Sequence, residues 1–129
     1  MESLPKVLIV DDNDLIRDLL TTICSNYNLK CQCATNGQEA VHIFKKETFM
    51  IVLMDLEMPV MDGFEATGAI RQYEIAENCN HTPVIAMSGK PLINPLQTCC
   101  QAGMDGFLPK PIIIAELLDI LKTATDCET

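Results

Sequence analysis

Five short apolar runs punctuate the chain, at Lys6–Val10, Lys30–Ala34, Phe49–Met54, Pro83–Met87 and Gly106–Leu108. Most are rich in Val, Ile, Leu or Met, and several show no polar alternation. That is the pattern of strands covered on both faces of a parallel sheet. Between them lie amphipathic stretches. Asp14–Tyr27 places Leu15, Ile16, Leu19, Leu20 and Ile23 near a 3.6-residue period, with Asn13 or Asp12 as its cap. Asn36-Gly37 makes a turn before Gln38–Lys46, whose buried face is Ala40, Val41, Ile43 and Phe44. Gly63–Ala76 carries Phe64, Ala66, Ala69 and Ile70, and a last helix over Ile113–Thr125 carries Leu117, Leu118, Ile120 and Leu121. Strand and helix alternate five times, and right-handed crossovers then give an α/β fold with helices on both faces of one parallel sheet. Residues 1–129 form one domain, with nothing left over for a second.

The ends of the strands carry the chemistry. Asp11 and Asp12 follow Val7-Leu8-Ile9-Val10, and Asp55 follows Ile51-Val52-Leu53-Met54. Ligands of open α/β sheets bind at this edge. Three carboxylates gathered there repel one another unless a cation sits among them, and a few hard oxygen donors suit Mg²⁺. Asp55 is placed to attack phosphorus and become an acyl phosphate. Lys110 can pair with one phosphoryl oxygen, and Ser88, after Val84-Ile85-Ala86-Met87, can hydrogen-bond another.

Composition narrows the partners. Formal net charge is −9, with no basic stripe, which argues against nucleic acid and against an anionic membrane surface. No apolar stretch approaches a membrane span, and Met1–Lys6 lacks the marks of a signal peptide, so a cytoplasmic location is expected. The seven cysteines are an odd number without a C-x-x-C and read as free thiols used as small apolar side chains. Cys31 and Cys33 with His42 or His81 lack the ligand spacing of a zinc site. Asn80-His81-Thr82 matches a glycosylation acceptor, which has no use without a secretory route. His42 and His81 read as exposed, without a partner for phosphorelay or catalysis. Met54, Met58 and Met61 read as packing.

The strand-end set, with Met54-Asp55-Leu56-Glu57-Met58-Pro59-Val60-Met61-Asp62-Gly63 and Phe107-Leu108-Pro109-Lys110-Pro111, resembles the receiver domain of two-component response regulators from about Lys6 to Thr125. The resemblance implies a flavodoxin-like doubly wound (βα)5 fold with strand order 2-1-3-4-5. It makes Asp55 the phospho-acceptor, with Mg²⁺ held by Asp12, Asp55 and the main-chain carbonyl of Glu57, and with Asp11 helping directly or through water. Lys110 would hold the phosphoryl group, the Lys110–Pro111 peptide would be cis, and Ser88 and Phe107 would be the switch pair. The implied role is a stoichiometric phospho-acceptor in a phosphorelay, not an enzyme, with at most slow self-catalysed phosphoryl transfer and autodephosphorylation. The implied partners are a histidine kinase or histidine phosphotransfer protein and a downstream target on the helix 4–strand 5–helix 5 face.

Gly89, in place of the usual alanine, and Lys90 depart from the family pattern, as does Pro91–Met104, which has two prolines and no charge. Two readings of that segment stay open. One is a short packed helix starting at Pro95 and stopped by Gly103, with Asn94, Gln97, Thr98 and Gln101 outside. The other is a docking face. Two other functions compete with the leading one. A hydrolase of the haloacid-dehalogenase type wants a second acid two residues after the nucleophile, where this chain has Glu57. A pseudo-receiver that binds without phosphate has no need of clustered acids. No output domain is expected, and the opening on Met1 close to a strand favours the expectation of a stand-alone protein, with a receiver excised from a hybrid kinase as the alternative.

Overall fold

The computed structural model describes residues 6–127; the expectation for Met1–Pro5 falls outside them. The elements follow the alternation in the sequence: β1 (Lys6–Val10), α1 (Asp14–Asn26), β2 (Lys30–Ala34), α2 (Gly37–Phe44), β3 (Ile51–Asp55), α3 (Gly63–Ala76), β4 (Val84–Ser88), α4 (Pro95–Gln101), β5 (Gly106–Pro109) and α5 (Ile114–Cys127). All strand pairings are parallel, in the order β2-β1-β3-β4-β5.

Alternate strand residues feed two cores because strand side chains alternate between faces. Val7, Ile9, Ile51, Leu53, Ile85 and Met87 pack with Leu20, Ile23, Leu117 and Leu121 of α1 and α5. Leu8, Val10, Val52, Met54, Val84 and Ala86 pack with Ala40, Phe44, Ala66, Ile70 and Cys99 of α2, α3 and α4. Each fully buried Leu or Ile contributes on the order of 2 kcal/mol, so this doubly covered sheet forms a rigid base for its C-terminal edge.

Three strands reach further than the apolar runs suggest. Asp55 and Ser88 belong to β3 and β4, and β5 extends to Pro109. The ladder continues past the apolar residues, pairing Asp55 with Met87 and Ser88 with Pro109. Phe49 and Met50 are buried ahead of β3 and outside it. On α1 the expected apolar face is too wide, since Leu15 is 77% and Leu19 39% exposed. The helix rests on the sheet through Leu20, Ile23 and Cys24.

On α3 the sequence pattern misses two buried polar residues, Thr67 and Glu74. Thr67 Oγ1 donates to the Gly63 carbonyl at 2.8 Å. Glu74 accepts from Arg71 Nη1 at 2.8 Å and from the Thr82 backbone N–H at 2.7 Å. Arg71 also reaches the Gly103 carbonyl and Asp105, which in turn meets His81 Nε2 at 2.8 Å. His81 is therefore exposed, as expected, and has a structural partner. Apart from Glu74 one turn on, the acceptors of Arg71 lie far away in sequence, at Gly103 and Asp105, which is why the arginine carried no local signal of this role.

Asn13 is the cap of α1, its side chain accepting from Leu15 and Ile16 N–H at 2.8 and 3.2 Å. The segment from Pro91 to Met104 does form a short helix that starts at Pro95, with Gly103 at φ +91° after it. Cys99 is its buried anchor, whereas Ile93 and Leu96 stand 88% and 67% exposed. Leu96 lies three residues before Cys99, on the same side of the helix, but in its first turn, where it stands clear of the core that Cys99 enters.

Val60 has φ +73° and is 74% exposed. A β-branched residue in the left-handed region is strained. Val60→Gly is expected to raise stability by about 0.5–1 kcal/mol, the relief of strain exceeding the entropy cost of glycine. Denaturant midpoints of the two proteins measure it.

Candidate active site

β1 delivers Asp11. Its backbone N–H continues the ladder to the Ala34 carbonyl at 3.1 Å, and its Oδ1 accepts the Asn13 N–H at 2.9 Å, turning the chain into α1. Arg17 reaches back from α1 to the Asp11 carbonyl at 2.8 Å and pairs with Asp14. β3 delivers Asp55 beside it. The Leu56 N–H bonds the Met87 carbonyl at 2.9 Å, and Asp55 Oδ1 accepts the Glu57 N–H at 3.2 Å.

Beyond Asp55 the chain loops back on itself. Gly63 N–H meets the Leu56 carbonyl at 3.3 Å, and Asp62 caps α3 in a reciprocal pair with Glu65. Gly37 N–H reaches the Met61 carbonyl at 3.0 Å, tying the start of α2 to the same loop. Met58 and Met61 pack against the core, as does the buried Met54. β4 supplies Ser88. The Lys110 N–H bonds the Ser88 carbonyl at 2.7 Å, which fixes the lysine beside it, and the Lys110–Pro111 peptide is cis.

The side chains converge. Carboxylate oxygens of Asp11, Asp12 and Asp55 lie within 4.8 Å of one another, with Asp11 and Asp55 buried and Asp12 exposed. Lys110 Nζ is 2.7 Å from Asp11 Oδ2 and 3.3 Å from Asp55 Oδ1. The Asp11 Oδ2 approach lies outside hydrogen-bond directions, so this buried oxygen has a charge partner but no hydrogen bond. An all-oxygen set containing a buried, unbonded carboxylate oxygen fits a hard divalent cation such as Mg²⁺. Ser88 is 1% exposed and Phe107 half-buried against the α2–α4 side core. A side chain at Gly89 would meet Lys110 Cβ at an ordinary 3.7 Å, so this departure leaves room without being required.

Two contacts had no signal in the sequence. Ser88 Oγ donates to Glu57 Oε2 at 2.8 Å, and Arg17 braces the Asp11 carbonyl. Glu57 was expected to serve through its main-chain carbonyl, whereas the orientation of its carboxylate is set by the loop. Lys90 is exposed, and its backbone N–H donates to Ser88 Oγ at 3.1 Å.

Burial, then the Asp11 charge, push Asp55 up to about 6 from an ordinary 3.8, against the opposing pull of Lys110 and the Glu57 N–H. Burial works against the Lys110 ammonium, but its pairing with Asp11 and Asp55 outweighs this and holds its pKa above the usual lysine value. In the metal-free fold Asp55 therefore holds its proton to higher pH than it does in the unfolded chain. Its contribution to stability is complete below about pH 4 and is lost as pH rises through about 6. Asp55→Asn removes this term. With chelator present, the variant is expected to become more stable than the parent across that window, by on the order of 2 kcal/mol at neutral pH. Paired denaturation curves from acid to neutral pH measure the gap.

Known proteins are similar to this chain in sequence and fold. The family model for the response regulator receiver domain matches residues 7–122. The sensor protein GacS of Pseudomonas syringae pv. syringae is 36% identical over 117 residues, covering 91% of this chain and 13% of that protein. The chain thus spans a small fraction of such curated relatives. The receiver domain of a sensor histidine kinase from Pseudomonas aeruginosa PAO1, solved with a magnesium ion in its active-site cleft, superposes with a TM-score of 0.82 at 30% identity, over 94% of this chain and 97% of that one. The receiver domain of the Saccharomyces cerevisiae response regulator Ssk1, solved with the histidine phosphotransfer protein Ypd1, gives a TM-score of 0.83 at 27% identity, over 91% and 86%. Sheet order, clustered aspartates and the match along nearly the whole chain agree: the protein belongs to the response regulator receiver domain family of two-component signalling.

Proposed function

We propose that Asp55 accepts a phosphoryl group from a phosphohistidine on a histidine kinase or phosphotransfer protein. The observation that carries this is the buried Asp55 carboxylate between Asp11 and the Lys110 ammonium. A carboxylate oxygen of Asp55 forms the new O–P bond while the N–P bond of the donor breaks. Its electron pair returns to the imidazole nitrogen. Lys110 pairs with a phosphoryl oxygen and balances charge as the group arrives. Asp11, Asp12, Asp55 and the main-chain carbonyl of Glu57 would hold Mg²⁺, which supplies charge neutralisation for the incoming phosphoryl oxygens.

Ser88 and Phe107 act as the switch pair, the hydroxyl moving toward the new phosphoryl oxygen and the half-buried ring filling the space. A downstream protein then docks on α4, β5 and α5, where Leu96 of α4 already stands exposed, with Ile93 exposed just ahead of the helix. Turnover is stoichiometric, with at most slow self-catalysed transfer and autodephosphorylation. The same reading places the chain in the cytoplasm. No helix among the described residues is long and apolar enough to cross a membrane. Incubation with Mg²⁺ and phosphoramidate, followed by intact mass, tests the proposal. A gain of one phosphoryl unit supports it, and an unchanged mass refutes it.

A further inference from the structure

Ser88 is already engaged, and not with Asp55. Its hydroxyl donates to Glu57 Oε2 at 2.8 Å and accepts the Lys90 N–H at 3.1 Å. The Lys90 carbonyl, at 3.3 Å, is the poorer acceptor for the same proton. We infer that the Glu57 carboxylate is a latch: it holds the Ser88 hydroxyl proton until a phosphoryl group is on Asp55, and so sets the threshold of the switch. The inference rests on the reading of Ser88 as a switch residue.

A hydroxyl has one proton. While Glu57 holds it, Ser88 has none to offer a phosphoryl oxygen, so switching must first break a charge-assisted hydrogen bond. Ser88 is 1% exposed, so water cannot readily replace the lost partner. Glu57 lies two residues beyond Asp55, with its own N–H on Asp55 Oδ1 at 3.2 Å. A new dianion at Asp55 therefore pushes the latch away at the moment Ser88 is needed. Glu57 acts through Ser88 and is a positioning residue.

Beryllofluoride with Mg²⁺, a phosphoryl mimic, tests this in a double-mutant cycle. Removing Glu57 also removes a repelling charge, so the single variant is not decisive. Glu57→Ala is expected to tighten beryllofluoride binding about five- to tenfold more when Ser88 is present than in a Ser88→Ala background. Glu57→Gln, neutral but still an acceptor, should recover only the part due to charge. Equal tightening in both backgrounds overturns the latch. A second readout needs no phosphoryl group. In the free chain, Glu57→Ala should shift the NMR signals of Ser88 and Phe107, and unchanged signals overturn the latch as well. Failure of the phospho-acceptor reading looks different: wild type gains no mass with phosphoramidate and binds no beryllofluoride, whatever the free-chain spectra show.

Discussion

Asp55→Asn is expected to abolish phosphoryl uptake while leaving the chain folded. The amide has nearly the shape of the carboxylate, and its oxygen can still accept the Glu57 N–H that now reaches Asp55 Oδ1 at 3.2 Å. What disappears is the anionic oxygen that attacks phosphorus. Desolvation of that anion within the sheet also disappears, so the inactive variant gains stability at neutral pH. Intact mass after phosphoramidate and Mg²⁺ should match the unmodified variant under conditions that modify the parent. A phosphorylated Asn variant would mean that another residue is the acceptor, and peptide mapping would locate it. Asp11 and Asp12 are the neighbouring carboxylates to examine first.

The second large effect is on folding. Gly63→Ala would place a Cβ 2.3 Å from the Asp55 carbonyl oxygen and 3.0 Å from Leu56 Cα. Both neighbours are backbone, and Leu56 is held by its bond to the Met87 carbonyl. No flexible side chain is there to yield. The loop must move outward, stretching the Gly63 N–H bond to Leu56 and disturbing the capping box at Asp62. The expected cost is about 2–3 kcal/mol, or a fall in Tm of roughly 8–12 °C for a domain of this size. Gly89→Ala is the control. Its Cβ would make an ordinary 3.7 Å contact with Lys110, and its Tm should stay close to the parent's. Thermal unfolding of the three proteins decides whether close backbone approach is what the Asp62-Gly63 pair provides.

Much of this was legible along the chain. The apolar runs are short and unalternating because both faces of each central strand are buried, so strands and their parallel arrangement could be read from those runs and the helical stretches between them. The reactive residues stood out because polar residues at the end of such runs have no packing role. Helix faces were read less well. Leu15 and Leu19 belonged to the apolar stripe of α1, yet a sheet surface accepts a narrower strip than the sequence offered. Glu74 and Arg71 gave no signal along the chain, because the partners that make Glu74 buriable, Thr82 and Arg71 with its links to Gly103 and Asp105, come together only after α3 docks.

The sequence by itself determined the element order, the doubly covered sheet and the strand ends at which Asp11, Asp55, Ser88 and Lys110 stand, since these follow from local periodicity and from where each run stops. Tertiary structure alone decided which charges meet. The 2.7 Å approach of Lys110 to Asp11 and the hold of Glu57 on Ser88 join residues 99 and 31 positions apart. Hydrogen bonds and desolvation act over a few ångströms of space, and no local pattern encodes that distance.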